Sequence, residues 1–353
     1  MVVNRADGRG GVRNGWLKFA AAGVLALGLV SCDGKGVNDP PESGVQWERL
    51  TSTAIRGCIY PDLTAAGDSM IFSFTLGELF PDPNSPGDFI VVDHNRGAVS
   101  GSDGQNVIPL RHGGPAPWND YRHRWAGSQI VVYESNRNGT FDIWYRNLDY
   151  NVDRRLTGFD NTAAHETSPV PRPNSPALVY VEYGGGIPVG SSSLRGRLVL
   201  IPDTAAVPIT RIYLTPDTLY CGEPDWDPTG QRLAFTVENQ TDQTRHIYTM
   251  NLAPGDSLPI QITVGAAHDF SPRWSPDGGR LVFSSDRTGR WGVWVVHPSG
   301  EAVGLKLVSF DDTGAVVLTP TFTPDGMSLY VSSDGRGGVR SIWRLTNLPD
   351  FGF

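Results

Sequence analysis

The sequence repeats a three-strand pattern, and this repeat limits the folds open to the chain more than any other feature. Its clearest copy runs from Ser271 to Val296 and reads SPRWSPDGGRLVF followed by SSDRTGRWGVWVV. Pro276 presets φ for a tight turn and Gly278 supplies the positive φ that closes it, so the first part predicts a β-hairpin. The β-branched and aromatic run 293–296 predicts a third strand. Because an isolated meander cannot bury its apolar face, we expect further copies elsewhere in the chain.

Five other segments align without gaps on the residue that corresponds to Pro272. They begin at Pro61, Arg122, Pro169, Pro224 and Pro320. Eleven residues after each of the six starting points stands a large or β-branched apolar residue, and these are Phe72, Tyr133, Tyr180, Phe235, Phe283 and Val331. Copies of about 40–50 residues are typical of propeller blades, each of which has four short strands.

We therefore predict an all-β fold, a six-bladed β-propeller with four antiparallel strands in each blade. The last copy lacks a fourth strand, whereas residues 47–51 precede the first copy and match residues 155–157 in the sequence Arg-Leu-Thr. We expect this N-terminal strand to complete the sixth blade and close the ring, which leaves no long unpaired edge. An open β-solenoid is the alternative fold, although solenoids need many more copies and capping repeats.

Two connections between the second and third strands are longer than a propeller needs. They run from Thr75 to Asp88, ahead of a third strand at 89–90, and from Gly184 to Gly196. In a four-stranded blade these connections share one face, which we call the top face, with the loops that lead into each first strand. The Pro-Asp-Gly turns lie on the opposite, bottom face. Connections that are longer than the fold requires indicate a function at the top face. The alternative is that these loops are insertions without a function, which a surface loop tolerates.

Residues 1–31 have the pattern of a secretory signal peptide. Basic residues come first, and they are followed by an apolar run from Phe19 to Val30 that is short for a bilayer span. The run ends in Leu-Val-Ser-Cys at 29–32, which resembles the lipobox of bacterial lipoproteins. The resemblance implies that Cys32 is lipidated after cleavage, that residues 32–46 are a flexible tether, and that the propeller occupies residues 47–353. An ordinary signal peptide with a chance Cys is the alternative.

The charge of the chain limits its partners. The full sequence has 29 basic and 37 acidic residues, and without residues 1–31 it has 25 basic and 36 acidic residues, a formal charge of −11. An acidic protein is a poor candidate for binding nucleic acid or anionic headgroups. We therefore expect no nucleic-acid partner, and membrane contact through the lipid anchor only.

The repeats resemble those of TolB-type propellers. The resemblance rests on the segments 274–278 (WSPDG), 226–230 (WDPTG) and 322–326 (FTPDG), with Asp286-Arg287 and Trp294 at the family's spacing. It covers about residues 47–347 and is weakest in blades one and three. It implies a six-bladed envelope propeller that serves as a docking surface for other envelope components. Related propellers cap prolyl-oligopeptidase-type hydrolases, but no G-x-S-x-G nucleophile elbow follows the blades, so that enzyme class is disfavoured.

Polar residues gather in the loops that lead into the first strands, at the predicted channel mouth. Two blades carry the same motif there, Ala-Ala-His-Glu at 163–166 and Ala-Ala-His-Asp at 266–269. We expect a ligand-binding site formed by His165, Glu166, His268, Asp269, Trp118, Tyr220 and Glu223. Because imidazoles and carboxylates bind transition metals, His165 and His268 are also candidate ligands of a divalent metal ion. The alternative is turn closure, in which each acid accepts hydrogen bonds from backbone N–H groups and each His donates to the next blade.

Cys58 and Cys221 occupy equivalent positions in blades one and four. An oxidising envelope favours a disulfide. A bridge needs Cα atoms within about 7 Å of each other, however, and blades one and four face each other across the ring. We therefore predict two free thiols.

These observations favour a non-catalytic function. We expect a lipid-anchored lipoprotein of the bacterial cell envelope, on the periplasmic or surface side, whose propeller binds a protein, peptide or glycan partner. The alternative is a metal-dependent hydrolase or lyase that acts at the channel mouth, which only His165 and His268 motivate. Whether the anchor lies in the inner or the outer membrane stays open.

Overall fold

A computed structural model of the chain describes residues 45–52, 55–81, 89–110, 118–159, 164–184, 196–252, 258–310, 316–334 and 339–352. Cys32, the predicted signal peptide and most of the predicted tether lie outside these ranges, as do residues 185–195 of the predicted blade-three connection. Over the described residues the chain forms six four-stranded antiparallel sheets. Within these ranges there is no helix that could cross a bilayer.

Each sheet is one blade, and its strands follow the chain from the centre of the ring outwards. Blade one consists of β2 (Arg56–Leu63), β3 (Ser69–Pro81), β4 (Phe89–Gly101) and β5 (Ile108–Pro109). Blade two consists of β6 (Asp120–Gly127), β7 (Ile130–Ser135), β8 (Asp142–Asn147) and β9 (Val152–Arg155). Blade three consists of β10 (His165–Pro171), β11 (Leu178–Tyr183), β12 (Gly196–Ile201) and β13 (Ile212–Tyr213).

The second half of the ring repeats this order. Blade four consists of β14 (Cys221–Trp226), β15 (Arg232–Glu238), β16 (Arg245–Asn251) and β17 (Ile260–Gln261). Blade five consists of β18 (Asp269–Trp274), β19 (Leu281–Ser285), β20 (Gly292–Val296) and β21 (Leu305–Phe310). Blade six consists of β22 (Val317–Phe322), β23 (Leu329–Ser333), β24 (Ser341–Thr346) and, as its outer strand, β1 (Gln46–Arg49).

The ring is closed in two ways. Each inner strand contacts the inner strands of both neighbouring blades, and β22 of the last blade contacts β2 of the first. β1 pairs with β24, with Gln46 opposite Thr346 and Arg49 opposite Trp343. The predicted closure by the N-terminal strand is confirmed, although the paired strand begins one residue before the predicted range and ends at Arg49.

The core lies between neighbouring blades, where strand faces with period-two apolar residues meet. Val282 and Val295 of blade five pack with Val317 and Val331 of blade six, for example. The six apolar residues that defined the repeat are all fully buried, and these are Phe72, Tyr133, Tyr180, Phe235, Phe283 and Val331. Each such side chain stabilises the fold by roughly 1.5–3 kcal/mol, so the repeated pattern is the pattern of the core.

The Asp-Arg turn of the repeat is also structural. The guanidinium of Arg287 lies 5.1 Å from the ring centre of Trp294. It donates to both carboxylate oxygens of Asp269, at 3.0 and 3.1 Å, and to Glu301 at 2.9 Å. The same arrangement recurs in blade two around Arg137, with the partners Trp144, Asp120 and Asp153. In each of these blades a half-buried Arg thus connects the inner strand with residues of the outer strands.

Every inner strand contains a β-bulge. In blade five the pairing passes from Phe270 opposite Ser284 directly to Arg273 opposite Val282, so Ser271 and Pro272 are extra residues. The first residue of each bulge is a non-glycine with φ between 49° and 58°, and the six are Tyr60, Arg122, Ser168, Glu223, Ser271 and Thr319. Proline follows in five blades, which is allowed because an extra residue needs no N–H for the ladder.

The bulges correct the alignment of blade two. Arg124 occupies the place that Arg273 has in blade five, and Arg122 has the positive φ of a first bulge residue. His123 is therefore the counterpart of Pro272, and the alignment on Arg122 was wrong by one residue in this strand. The ungapped copy concealed the shift because the hairpin turn that follows is one residue shorter in blade two than in blade five.

Blade one also differs from the prediction. Instead of a connection from Thr75 to Asp88, strands β3 and β4 continue as a hairpin of thirteen paired residues, from Ser69 opposite Gly101 to Pro81 opposite Phe89. The part of the third strand that pairs with the buried Phe72 is therefore near Ala98, and not at residues 89–90 as predicted. The predicted connection from Thr75 to Asp88 is therefore corrected, because residues 76–81 continue the second strand of this blade.

Candidate functional site

The six bulges surround a cavity on the axis of the ring. Its volume is about 50 Å³, and residues at the bulges of all six blades line it, among them Tyr60, Arg122, Ser168, Glu223, Ser271 and Thr319. A water molecule needs about 10–15 Å³ measured in this way. The cavity therefore has room for a few waters or for one small polar group.

Four charged residues meet across the channel two residues further along their inner strands. They come from blades one, two, four and five, and we call them the channel box: Asp62, Arg124, Asp225 and Arg273. Arg124 lies 2.6 Å from Asp225 and 3.4 Å from Asp62. Arg273 lies 2.5 Å from Asp62 and 3.7 Å from Asp225. Two guanidinium groups and two carboxylates thus neutralise one another at the centre of the ring.

Backbone groups complete the channel box. The N–H of Trp125 donates to Asp62 and that of Trp274 donates to Asp225, each at 2.9 Å. Burial raises the pKa of both carboxyl groups, that of Asp225 to about 6, while Arg124 opposes the rise. Guanidinium partners from other blades therefore offset the cost of burying these two carboxyl groups.

Arg122 lies beside the cavity on the side nearer the top face. Its Nη1 donates to Glu134 at 2.7 Å, and its guanidinium stacks 4.6 Å from the ring centre of Tyr60. Its Nη2 is 3.9 Å from Oε1 of Glu223, which is too far for a hydrogen bond. Glu223 is held through its other oxygen, which accepts from the backbone N–H of Ser271 at 2.7 Å.

Of the predicted ligand-binding residues, Glu223 is the one that lines this cavity. Trp118 is buried and stacks under the guanidinium of Arg96 at 4.6 Å, so it packs inside the fold. Tyr220 is half-buried just before β14, where its carbonyl accepts from the N–H of Glu238 at 2.9 Å.

The first His-acid motif lies at the boundary of blades two and three. His165 is half-buried, and its Nδ1 accepts from the N–H of Phe141 at 3.2 Å. Burial lowers the pKa of His165 and favours the neutral imidazole that this bond requires. Glu166 is fully buried, accepts from the hydroxyl of Thr157 at 3.0 Å and lies 3.7 Å from Arg211. Burial raises the pKa of Glu166 to about 7.

The second motif lies at the boundary of blades four and five. Asp269 is fully buried between Arg287 and His246, the latter at 3.5 Å. Burial favours a higher pKa for Asp269, but the neighbouring His246 and the charge of Arg287 outweigh it and lower the pKa. His268 is half-buried, stacks on Phe270 and donates its backbone N–H to Asp286 at 2.8 Å. The side chains of His165, Glu166 and Asp269 contact the neighbouring blade, whereas that of His268 contacts its own, and the acids bind side chains in place of the expected backbone N–H groups.

His165 begins the inner strand of blade three, and His268 directly precedes the inner strand of blade five. In the part of the chain that the structure describes, no group of three or more His, Cys, Asp or Glu side chains is placed to hold a metal ion. The metal site at His165 and His268 therefore stays a prediction. Cys58 and Cys221 are buried free thiols, as expected from their positions, and burial raises their pKa values to about 11 and about 12.

The top face carries two aromatic clusters that sequence reasoning missed. The first contains Tyr121, Phe141 and His165, with 6.1 Å between neighbouring ring centres. The second contains His268, Phe270 and Trp291, with neighbouring centres 6.3 and 5.4 Å apart. All six side chains are half-buried. Because blades two and five face each other in a six-bladed ring, the clusters flank the channel from opposite sides.

The buried carboxyl of Glu166 should make stability depend on pH. Its folded pKa of about 7 exceeds the ordinary value of 4.5, so the folded protein retains a proton that the unfolded chain releases. Its contribution is fully present below pH 4.5 and is lost as the pH rises through 7, at about 1.4 kcal/mol per pKa unit and so up to about 3 kcal/mol. Urea unfolding of the native protein and of Glu166→Gln at pH 5 and pH 8 should show this difference. Asp269→Asn is the control, because a lowered pKa gives no titration in this window.

Comparison with known proteins agrees with this architecture. Residues 210–346 match the TolB beta propeller domain family. A protein of Bacillus subtilis strain 168 named as an uncharacterized peptidase, YuxL, is 34% identical over 115 residues, which are 31% of this chain and 17% of its own length. A protein TolB homolog of Chlorobium chlorochromatii strain CaD3 is 27% identical over 161 residues, 46% of this chain and 32% of its own length. The chain thus spans less than a third of the length of these two relatives.

A solved structure shares the fold over nearly the whole chain. It is an oligogalacturonate lyase in complex with manganese, 17% identical, with a TM-score of 0.54 and coverage of 88% of this chain and 94% of that one. At this identity the likeness concerns the fold alone. Together, the repeated sequence and the six closed blades show that the chain is a six-bladed β-propeller protein, and residues 210–346 are similar to the TolB beta propeller domain.

Proposed function

We propose that this protein is a lipid-anchored lipoprotein of the bacterial cell envelope whose propeller binds a protein, peptide or glycan partner on its top face without catalysing a reaction. The observation that carries the proposal is the pair of aromatic clusters on blades two and five. Half-buried aromatic rings offer a large contact area and lose little conformational entropy when a partner covers them. Such residues are the usual anchors of binding interfaces.

The charged groups of the channel support binding over catalysis. Each residue of the channel box contacts a partner of opposite charge, and Glu134 and Glu223 satisfy backbone N–H groups of left-handed residues. A general acid or base must instead be free to exchange a proton with a substrate. The arrangement therefore favours a rigid centre that holds a binding face in shape.

Removing one aromatic anchor from each cluster should weaken partner binding strongly. We expect Phe141→Ala combined with Trp291→Ala to weaken binding by at least about 2 kcal/mol, or roughly thirtyfold, because interface aromatics are hot spots. Tyr150→Ala is the matched control, since this side chain is 77% exposed on the turn between β8 and β9, on the bottom face. Partners captured from solubilised envelope by the native protein and by the control, but not by the double variant, would be the expected result. Equal capture by all three would exclude the top face.

The alternative function, a metal-dependent hydrolase or lyase at the channel mouth, is tested by metal analysis. Protein purified without an affinity tag should be analysed for bound metal alongside the variant His165→Ala with His268→Ala. A stoichiometric metal in the native protein that this variant lacks would favour the metal-dependent hydrolase or lyase. The fold that the chain shares with a manganese-bound lyase would then support a metal-dependent reaction. If the native protein lacks metal and the double variant still binds the partner, the histidines serve the fold.

The lipid anchor is tested at Cys32. A lipoprotein Cys carries two or three acyl chains, and each buried CH₂ contributes about 0.8 kcal/mol to membrane binding. We expect Cys32→Ser to move the protein from the membrane fraction to a soluble or uncleaved form, whereas Ser31→Ala should remain anchored. A processed Cys32→Ser protein that still sediments with membranes would disprove lipidation at this residue.

A further inference from the structure

We propose that the axial cavity is a subsite for one neutral carboxamide, the side chain of an Asn or Gln of a bound peptide, which accepts a hydrogen bond from Arg122 and donates one to Glu223. The inference rests on the proposed binding function, because it identifies what part of a partner on the top face would enter the channel. It commits the partner to a peptide or protein.

The gap between Arg122 and Glu223 carries the first step. Nη2 of Arg122 is a donor, Oε1 of Glu223 is an acceptor, and 3.9 Å separates them. Both side chains are partly exposed, at 25% and 19%, and both line the cavity. The rest of each side chain is fixed, since Arg122 is bound to Glu134 and Tyr60 and Glu223 is bound to Ser271. A bridging group with one acceptor and one donor would satisfy both atoms without moving either residue.

Hydrogen-bonding capacity and charge together exclude the simpler ligands. Three guanidinium groups, of Arg122, Arg124 and Arg273, and one carboxylate, of Glu223, line the cavity, and two of the guanidinium groups are already paired with Asp225 and Asp62. A ligand carboxylate would leave Glu223 without a donor and would lie beside a group of the same charge. An ammonium group would meet the three guanidinium groups that line the cavity. A carboxamide has the required acceptor and donor and brings no charge that must be desolvated.

The size and depth of the cavity fit a side chain on a flexible stem. A volume of about 50 Å³ suits a group of a few heavy atoms and is too small for a sugar ring. The channel box closes the passage beyond Arg122, since its ion pairs join four blades across the axis. A ligand group must therefore come from the top face, past the residues that precede the bulges, and the methylene carbons of Gln or Asn provide that reach.

A series of blocked tripeptides tests the subsite on the native protein. The probes are acetyl-Gly-Xaa-Gly-N-methylamide with Xaa as Gln, Asn, Glu, Lys or Leu, and the readout is binding by NMR titration. We expect the Gln or Asn probe to bind at least tenfold more tightly than the other three. Equal or tighter binding of the Glu, Lys or Leu probe would overturn the proposal, and this comparison needs no variant.

A change at Glu223 gives the second test. Glu223→Gln keeps an acceptor for the N–H of Ser271 but removes the charge that opposes a carboxylate, so the preference should reverse and the Glu probe should gain at least tenfold over the Gln probe. Asp149→Asn is the control, because it removes the same charge from an exposed position on the bottom face. An unchanged preference in Glu223→Gln would overturn the proposal. If the peptide tests fail but partner capture still depends on Phe141 and Trp291, the subsite is excluded and the proposed binding function stands. If partner capture does not depend on these two residues, the binding function itself is excluded.

Discussion

Replacing Arg273 with Met should destabilise the propeller by about 3–5 kcal/mol, because it leaves the buried carboxylates of Asp62 and Asp225 with one guanidinium between them. The two acids also hold the backbone N–H groups of Trp125 and Trp274, so their repulsion would strain two inner strands. Urea unfolding at pH 7 measures the loss. The matched control is Arg280→Met, since Arg280 pairs with the largely exposed Asp277 at 3.7 Å and should contribute about 0–1 kcal/mol.

Two further variants show whether the effect comes from unpaired charge. Asp225→Asn in the Arg273→Met background should restore part of the lost stability, because it removes one of the two competing carboxylates. The single change Asp225→Asn should itself be destabilising, since it leaves the two Arg residues with one acid. If Arg273→Met unfolds at the same urea concentration as the control, the channel box contributes nothing to the closed ring.

Deleting the chain up to Thr51 should cost several kcal/mol and make the protein prone to association. The deletion removes the backbone bonds of β1 to β24 and the edge contact of Trp47 with Trp343, whose ring centres are 6.1 Å apart. It also removes Leu50, which is buried in the core beside blade one and would alone contribute roughly 1.5–3 kcal/mol. β24 would then present an open edge to other chains.

Thermal unfolding and size-exclusion chromatography measure these two effects. Glu48→Ala in the full-length protein is the control, because this side chain is exposed on the same strand. Leu50→Ala should fall between the control and the deletion, at about 2–5 kcal/mol. A truncated protein that melts as the full chain does and stays monomeric would show that the propeller does not depend on this closure.

The fold could be predicted because the blades carry it in a local pattern. Each copy contains a hairpin turn, alternating apolar residues and a large apolar residue at a fixed distance. A blade can therefore be recognised from its own residues alone. The alignment failed in blade two, where the hairpin turn after the inner strand is one residue shorter, because an ungapped comparison cannot allow for a deletion. That single shift also concealed the equivalence of Arg124 and Arg273, and with it the channel box.

The candidate site was predicted only in part, and the position of the acids shows why. Glu166 and Asp269 were expected at the channel mouth, yet both are fully buried. Their place in the repeat is occupied in other blades by Cys58, Cys221 and Val317, which are also fully buried. The sequence held this signal, because apolar residues at the equivalent position of other copies indicate a side chain that points between blades.

By itself the sequence determined the six blades, their order and the side chains of their core, since each of these follows from residues that are close together in the chain. It also determined the closing strand, because the last copy lacks a fourth strand and residues 49–51 repeat the Arg-Leu-Thr of residues 155–157. Only the tertiary structure decided which charges meet on the axis. Arg124 and Asp225 are 101 residues apart, and Arg273 and Asp62 are 211 residues apart. Their contact depends on the closure of the ring and on a left-handed residue in every inner strand that turns the next side chains inward. The ion pairs themselves leave no local pattern, because a contact across the channel is a property of the assembled ring and not of any one blade.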